Sequence, residues 1–299
     1  MPFVLGIDAG GTKTVGLLAD ETGRVLAESR GSGANLQVHG ELEVEKVFHA
    51  IIEAVAPGHP IHALCLGIAG VDRPNDQEVI RGLLRRLGYR ERVTVVNDAV
   101  IALVAGAPER FGVVLLAGTG SIAYGQDRSG RSVRSGGYGF LLADEGSGYW
   151  LGHQALRAAV RAGDGRGEPT ELRRLVFEAM EVDSMDGLIP RVYEKGIEKH
   201  KVAALAGLVQ KAADQGDAAA ERLLQAGAQE LVLAARAVAA GLSLGGEEFP
   251  VVLAGGVFRA CPSLHRRIEG DLNMPNGKVS LLTVEPARGA VTLALDLVP

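Results

Sequence analysis

Residues 3–17 read Phe3-Val-Leu-Gly-Ile-Asp-Ala-Gly-Gly-Thr-Lys-Thr-Val-Gly-Leu17, and this stretch indicates how the rest of the chain is built. The apolar run from Phe3 to Ile7 predicts a buried strand, and Asp8 stands at its end. Gly10 and Gly11 permit a tight turn, after which the apolar residues predict a returning strand. Backbone N–H groups of such a turn can surround an anion, and a carboxylate beside it can hold Mg²⁺, usually through water. The spacing is neither a Walker A loop nor G-x-G-x-x-G, so an ordinary hairpin also explains this stretch alone.

Length and composition restrict the class of protein. The chain has 299 residues, enough for two hydrophobic cores, and 47% of them are hydrophobic. A formal net charge of −5 argues against a nucleic-acid partner, which would require a basic face. No apolar run is long enough to span a membrane and no leader pattern opens the chain, so we expect a cytoplasmic protein without a membrane partner. Cys65 and Cys261 are the only cysteines, and we expect buried thiols rather than a disulfide or a metal site.

The opening pattern recurs in the middle of the chain. Residues 112–124 are again an apolar strand, a glycine turn and a returning strand, and the turn at Asp127 matches the earlier turn at Asp20. We interpret this as an internal duplication in which a ββ unit opens each of two domains. The predicted domains are residues 1–111 with 286–299, and residues 112–285 with a helical insertion at about 160–245.

Three further stretches place polar residues or glycines where apolar strands end. Asn97 and Asp98 follow the strand predicted at 92–96, and Gly255 and Gly256 follow the one at 250–254. Residues 135–148 are a second glycine-dense stretch, which holds Tyr138 and Asp144. Ligands of open α/β sheets collect at the carboxyl ends of strands, so these stretches are candidates for a binding site.

The order of these elements resembles the actin, sugar-kinase and heat-shock-chaperone ATPase superfamily. The elements are Asp8-x-Gly-Gly-Thr-x-Thr14, Asn97-Asp98, Gly118-Thr-Gly-Ser121 and Leu253-Ala-Gly-Gly256. The stretch Gly136-Gly-x-Gly-x5-Asp-Glu-Gly-Ser147 narrows the resemblance to the N-acetylglucosamine kinases and the bacterial BadF/BadG-type ATPases grouped with them. The resemblance implies an α/β fold of two actin-like (ribonuclease H-like) domains with an interdomain cleft that closes to exclude water.

The resemblance also implies an ATP- and Mg²⁺-dependent kinase that acts on the 6-hydroxyl of N-acetylglucosamine or a related amino sugar. Asp98 matches the catalytic carboxylate that accepts the hydroxyl proton. Asp8 would orient Mg²⁺, and Gly255 and Gly256 would leave room for adenine. The implied phosphate-binding residues are Gly10, Gly11, Thr12 and Thr14 in the first turn, and Gly118, Thr119, Gly120 and Ser121 in the second. Asn35, Asp98, Tyr138 and Asp144 match sugar-binding positions; the animal enzymes carry tryptophan where this chain has Tyr138. We further expect a homodimer.

Several alternatives stay open at this point. Asp98 could cap the following helix, Asp144 could be a solvated loop residue, and we assign no role to Lys13 or Glu145. The substrate could be glucosamine or a muramic acid derivative. The related ATPase activators of acyl-CoA dehydratases and reductases need an iron–sulfur cluster, which two cysteines in these positions do not favour. A sugar-sensing repressor is disfavoured because no helix-turn-helix segment precedes Phe3. Finally, we expect Gly255→Val to block the adenine site while the fold stays intact.

Overall fold

The computed structural model describes residues 2–71, 73–193 and 196–299. Its strands are β1 (Phe3–Ala9), β2 (Lys13–Ala19), β3 (Val25–Ser32), β4 (Ile61–Ile68), β5 (Val93–Asn97), β6 (Gly112–Ala117), β7 (Ser121–Gln126), β8 (Ser132–Gly136), β9 (Phe249–Ala254) and β10 (Gly277–Leu281). Its helices are α1 (Leu36–Val55), α2 (Pro74–Arg86), α3 (Asp98–Gly106), α4 (Gly148–Gly163), α5 (Glu171–Met180), α6 (Met185–Tyr193), α7 (Lys199–Ala204), α8 (Ala206–Ala213), α9 (Ala218–Gly241), α10 (Val257–Ala260), α11 (Ser263–Asp271) and α12 (Ala287–Leu295).

The chain divides into two compact units. Unit 1 comprises Met1–Val114, Gly125–Ser132 and Leu282–Pro299, and unit 2 comprises Leu115–Tyr124 and Val133–Leu281. The C-terminal helix α12 therefore belongs to the first unit. The domain ranges inferred from the sequence, and the cleft between them, stay predictions.

The core of unit 1 is a five-stranded sheet covered on both faces. The strand order is β3-β2-β1-β4-β5, in which β1 pairs antiparallel with β2 and parallel with β4. Phe48 of α1 and Leu83 of α2 belong to the buried cluster on one face. Ile101 of α3 and Val291 of α12 belong to the cluster on the other. The near-continuous apolar runs of β1 and β4 follow from this burial on two sides.

The internal duplication is confirmed by the topology. The second sheet has the order β10-β9-β6-β7-β8, which is the arrangement of β5-β4-β1-β2-β3. The two Asp turns also make the same contacts. Asp20 Oδ1 accepts the backbone N–H groups of Thr22 and Arg24 at 2.9 and 3.1 Å. Asp127 Oδ1 accepts those of Ser129 and Arg131 at 2.9 and 3.0 Å.

Among the residues that the structure describes, no helix is long and apolar enough to cross a membrane. Helix α1 begins at Leu36, and at its start the Asn35 carbonyl accepts the N–H groups of Val38 and His39 at 3.1 and 3.0 Å. Gly40, at φ 74°, then interrupts the regular helix.

Candidate active site

The carboxyl ends of β1, β4 and β5 bring the predicted residues of unit 1 together. The line along which these three strand ends meet is called the sheet edge below. In the parallel pairs, Asp8 lies opposite Gly67, and Ile68 lies opposite Asn97. Asp8 and Asp98 therefore project from the same end of β1 and β5, with β4 between them. Because β4 lies between them, β1 and β5 are two strand spacings apart, a distance of about 10 Å.

The turn between β1 and β2 is tied to the segment that precedes α1. The Gly10 N–H donates to the Lys13 carbonyl at 2.9 Å, and the Gly10 carbonyl accepts the Ala34 N–H at 3.1 Å. A Cβ on Gly33 would lie 2.2 Å from the Gly11 carbonyl oxygen, so only glycine permits this approach. The contact places the next residues of the segment, Ala34 and Asn35, beside the turn.

Asn35 joins the same sheet edge. Its Nδ2 lies 3.5 Å from the carbonyl oxygen of Ala69, just beyond the end of β4, and 3.2 Å from where a Cβ on Gly70 would stand. Because β4 lies between β1 and β5, Asn35 sits at the strand end that separates Asp8 from Asp98. Unit 1 thus gathers two carboxylates, one carboxamide and a glycine turn at a single edge.

The electrostatics around Asp8 suit a cation. Burial raises the pKa of Asp8 to about 7, Lys13 acts in the opposite direction, and Glu285 adds to the rise. A bound cation would compensate this poorly solvated charge, so the residue fits the predicted Mg²⁺ role. Within the described residues, His, Cys, Asp and Glu form no group of three or more that could hold a metal unaided. Mg²⁺ bound with nucleotide phosphates needs only one or two carboxylates.

Glu285 is a residue that the sequence analysis missed. Its carboxylate accepts from Lys13 Nζ at 3.1 Å and from an Arg30 nitrogen at 2.8 Å. Lys13, for which no role was assigned, is therefore held at the turn by an ion pair. Glu285 lies 272 residues from Lys13 along the chain and follows no motif, so no local signal could have found it.

The Thr14 hydroxyl forms a hydrogen bond within the protein, whereas the prediction assigned it to a phosphate. Its side chain is fully buried, and its hydroxyl donates to the Ser32 carbonyl at 2.7 Å. That bond takes the hydroxyl proton that a phosphate would need, and it joins β2 to β3. Thr12, by contrast, is exposed at the turn. The Thr14 hydroxyl is therefore engaged with β3, and the phosphate contact of Thr12 stays a prediction.

The residue that caps the helix after β5 is Asn97 and not Asp98. The Asn97 side chain accepts the Ala99 N–H at 2.8 Å and is the N-cap of α3. Asp98 is the first residue of that helix and is partly exposed at the sheet edge. Its carboxylate is thus not needed as the cap, and the helix N-terminus interacts favourably with its negative charge.

Gly118 and Ser121 of the second glycine turn, in unit 2, form hydrogen bonds within the protein. The Gly118 N–H donates to the Gly120 carbonyl at 2.8 Å, and the Ser121 hydroxyl donates to the Glu145 carbonyl at 2.7 Å. The Ser121 N–H donates to the Asp144 carboxylate. Ser121 therefore supports the turn, and the phosphate contacts of Gly118, Thr119 and Gly120 stay predictions.

Asp144 and Tyr138 lie in unit 2, whereas Asn35 and Asp98 lie in unit 1. Asp144 also accepts the Gly139 N–H, and its carboxylate stands 2.7 Å from where a Cβ on Gly120 would be. Burial raises the pKa of Asp144. Tyr138 is 58% exposed, with the Arg134 guanidinium 4.7 Å from its ring centre. The contact of either residue with a sugar stays a prediction.

The expectation for Gly255→Val was wrong about folding. Gly255 has φ +111°, and a Cβ there would lie 2.1 Å from the Ala117 carbonyl oxygen of β6. This glycine is required by packing inside unit 2. Gly256 has an ordinary φ of −68°, and a Cβ on it would meet only Arg259, at 3.9 Å. Gly256 is therefore the position at which a ligand contact can be tested.

Full-length relatives of this chain are named as amino-sugar kinases. An N-acetylmuramic acid/N-acetylglucosamine kinase of Clostridium acetobutylicum is 36% identical over 98% of both chains. An N-acetyl-D-glucosamine kinase of Dictyostelium discoideum is 33% identical over 98% of this chain and 97% of its own. These similarities run through both units, including the helical region in which the sequence motifs are weakest.

Solved structures agree on the fold. A Chromobacterium violaceum protein proposed to be an N-acetylglucosamine kinase superposes with a TM-score of 0.82 at 26% identity, over 98% of this chain and 99% of that one. A ROK family glucokinase of Streptomyces griseus, with a TM-score of 0.60 at 19% identity over 99% and 98%, shares the fold. The model of the BadF/BadG/BcrA/BcrD ATPase family matches residues 5–294. The chain therefore belongs to the BadF/BadG/BcrA/BcrD ATPase family.

Proposed function

We propose that this protein is an ATP-dependent kinase that transfers the γ-phosphoryl group to the 6-hydroxyl of N-acetylglucosamine or a close amino sugar. The observation that carries the proposal is the full-length similarity to the two amino-sugar kinases. The common edge that holds Asp8, the Gly10–Thr12 turn, Asn35 and Asp98 supports it, because a kinase needs a carboxylate near the phosphate-binding turn.

Asp98 is the proposed general base. As the sugar oxygen forms its bond to the γ-phosphorus, the carboxylate accepts the hydroxyl proton, and the bond from that phosphorus to the bridging oxygen breaks to leave ADP. Asn35, at the neighbouring strand end, is proposed to bind sugar hydroxyl or acetamido groups. Tyr138 and Asp144 are proposed for the same sugar from unit 2.

The nucleotide is proposed to be held by the two glycine turns. In unit 1 these contacts come from Gly10, Gly11 and Thr12, and in unit 2 from Thr119 and Gly120, with Gly256 beside the adenine. Asp8 would hold Mg²⁺ through water, and the ion supplies charge neutralisation on the phosphates when bound. Assembly as a homodimer and a cytoplasmic location are further parts of the proposal that the family resemblance suggests.

Other members of this superfamily act as redox activators that carry an iron–sulfur cluster. The positions of the two cysteines do not favour that role for this chain. Cys65 and Cys261 are both buried, and burial raises the pKa of each thiol to about 12. Cluster ligation needs thiolates that face the cluster. The muramic acid and glucosamine alternatives remain choices among substrates of one kinase site.

A coupled assay of ADP release tests the proposed function directly. With ATP and Mg²⁺ we expect turnover that depends on added N-acetylglucosamine or N-acetylmuramic acid and is slower with glucosamine and glucose. Mass spectrometry of the product should show one added phosphate, at the 6-position. ADP release that no sugar accelerates would refute the kinase, and a brown iron-containing protein would favour the activator.

Thr12→Val and Thr14→Val form a pair that separates ligand binding from folding. Thr12→Val should raise the ATP Michaelis constant about tenfold with little change in melting temperature, because it loses one bond to a charged group. Thr14→Val should lower the free energy of unfolding by about 1 kcal/mol through the lost bond to Ser32, with a smaller effect on ATP. The reverse pattern would return the phosphate contact to Thr14.

Asn35→Ala tests the proposed sugar contact. A buried polar partner left unpaired costs about 1–3 kcal/mol, so the sugar Michaelis constant should rise roughly tenfold or more. The ATP constant should hardly move. Asn75→Ala, which removes an exposed carboxamide from α2 of the same unit, is the matched control. Equal rises in both constants, or none in either, would make Asn35 a structural residue.

A further inference from the structure

One cavity in unit 2 is lined by none of the residues assigned to the kinase site. Its volume is about 670 Å³, and its walls come from α4, the loop after α4, and the first turns of α9. The charged side chains that line it are Arg157, Arg161, Arg166, Glu168 and Arg222, and Gln154 adds a carboxamide. The cavity is large enough for a small molecule.

The lining carries an excess of positive charge in a chain whose net charge is negative. Glu168 accepts from Arg222 at 2.8 Å, and Asp164, next to the cavity, accepts from Arg166 at 2.6 Å. Those two guanidinium groups are therefore neutralised within the protein. Arg157 and Arg161 form no ion pair with any residue that the structure describes, although one nitrogen of Arg161 donates to the Arg166 carbonyl at 3.0 Å and Asp164 lies within range of its charge.

The two remaining arginines lie four residues apart on α4, so their side chains share one face of the helix. Like charges at this spacing repel each other, and a bound anion would relieve that repulsion. Gln154, one turn before Arg157, adds a carboxamide to the same lining. One α4 face thus presents three hydrogen-bonding groups to the cavity, two of them cationic.

The walls of the cavity are held in place by hydrogen bonds, one of which comes from the Arg161 guanidinium: its Nη2 donates to the Arg166 carbonyl at 3.0 Å. The loop after α4 is closed by the Gly167 N–H, which donates to the Arg161 carbonyl at 2.8 Å. The start of α5 is joined to the start of α9, because the Thr170 hydroxyl donates to the Asp217 carboxylate at 2.7 Å. The backbone around the two exposed arginines is therefore held in place, which lowers the entropic cost of binding a ligand there.

We propose that this cavity is a second ligand site of the protein and that it binds a small molecule through a phosphate group. Guanidinium groups match phosphate oxygens with paired hydrogen bonds, and two of them can balance a phosphate dianion. Inorganic phosphate and a phosphorylated sugar share this chemistry. The sugar phosphate would be the product of the enzyme, and that part alone rests on the proposed function.

Calorimetric titration of the full chain tests the site. Inorganic phosphate and N-acetylglucosamine 6-phosphate are titrated separately, with ADP and N-acetylglucosamine present to fill the kinase site. The R157Q/R161Q double variant removes the two lining arginines that form no ion pair and keeps a hydrogen-bond donor at each position. The R174Q/R191Q double variant removes the same charge from exposed ion pairs elsewhere in unit 2 and is the matched control. Circular dichroism and thermal melts verify that both variants are folded.

We expect saturable binding of at least one of the two ligands to the wild type and to R174Q/R191Q. Binding to R157Q/R161Q should be at least about tenfold weaker, since each lost bond joins two charged groups. Tighter binding of the sugar phosphate identifies a phosphorylated sugar, and equal binding identifies free phosphate. Equal affinity in all three proteins, or no saturable binding to the wild type, would overturn the site. Failure of ADP to bind would count against the kinase proposal alone.

Discussion

Asp98→Asn is expected to lower turnover by about 10²–10⁴-fold at saturating sugar and ATP, because asparagine keeps the size of the side chain but cannot accept the hydroxyl proton. The loss corresponds to roughly 3–5 kcal/mol of barrier lowering. Loose phosphoryl-transfer transition states demand less of a base, which favours the lower end of the range. ATP affinity should be retained, because no nucleotide contact is assigned to Asp98. Turnover by the coupled assay and ATP binding by calorimetry measure the two effects separately.

Asn97→Ala is the control for the start of α3. It removes the cap bond to Ala99 and should cost about 1 kcal/mol of stability while most of the turnover remains. A folded Asp98→Asn protein that keeps more than about a third of wild-type turnover would refute the general base. An equal loss of turnover in Asn97→Ala would show that helix geometry, and not the carboxylate, is responsible. Asp144 would then be the next carboxylate to replace.

Gly255→Ala and Gly256→Ala should differ sharply in stability although the glycines are adjacent. Gly255→Ala combines a positive φ with a Cβ that lies 2.1 Å from the backbone of β6, which cannot move away. We expect a loss of about 3 kcal/mol or more in the free energy of unfolding. Gly256→Ala has an ordinary φ and open space, so its stability should change by no more than about 0.5 kcal/mol. Urea unfolding of both variants measures the difference.

Gly256→Val then tests the proposed adenine site in a folded protein. Overpacking against a ligand typically costs about 1–3 kcal/mol, so the dissociation constant of ATP should rise roughly tenfold or more. The melting temperature should stay close to that of the wild type. Unchanged ATP affinity in the folded Gly256→Val protein would place adenine elsewhere. A stable Gly255→Ala protein would contradict the packing role of that glycine.

The elements of the fold were largely predictable because each depends on local sequence. The apolar runs at 3–7 and 112–117 became central strands, and the matching Asp20 and Asp127 turns revealed the duplication that the two sheets confirm. The candidate site was predictable in part. Asp8, Asn35 and Asp98 do share one sheet edge, since the carboxyl ends of parallel strands meet there.

The corrections concern residues whose contacts in the fold are distant in sequence. Thr14 was assigned to a phosphate, but its hydroxyl donates to Ser32 on the neighbouring strand. Gly255→Val was expected to leave the fold intact, but β6 lies so close to Gly255 that only glycine fits there, and the adenine contact of Gly255 stays a prediction. A glycine or a threonine in a turn has the same local pattern whether a ligand or another strand lies beside it. The sequence therefore cannot tell which of the two requires it.

By itself, the sequence determined the strands, the two glycine turns, the duplication and the family, because hydrophobic period and turn chemistry act over a few residues. Tertiary structure alone decided which polar groups form hydrogen bonds and ion pairs with other parts of the protein. Glu285 reaches Lys13 across 272 residues, and Asn97 rather than Asp98 caps α3. The physical reason is that a hydrogen bond forms only where the fold brings a donor and an acceptor together. Groups that are distant in sequence meet only once the chain has packed.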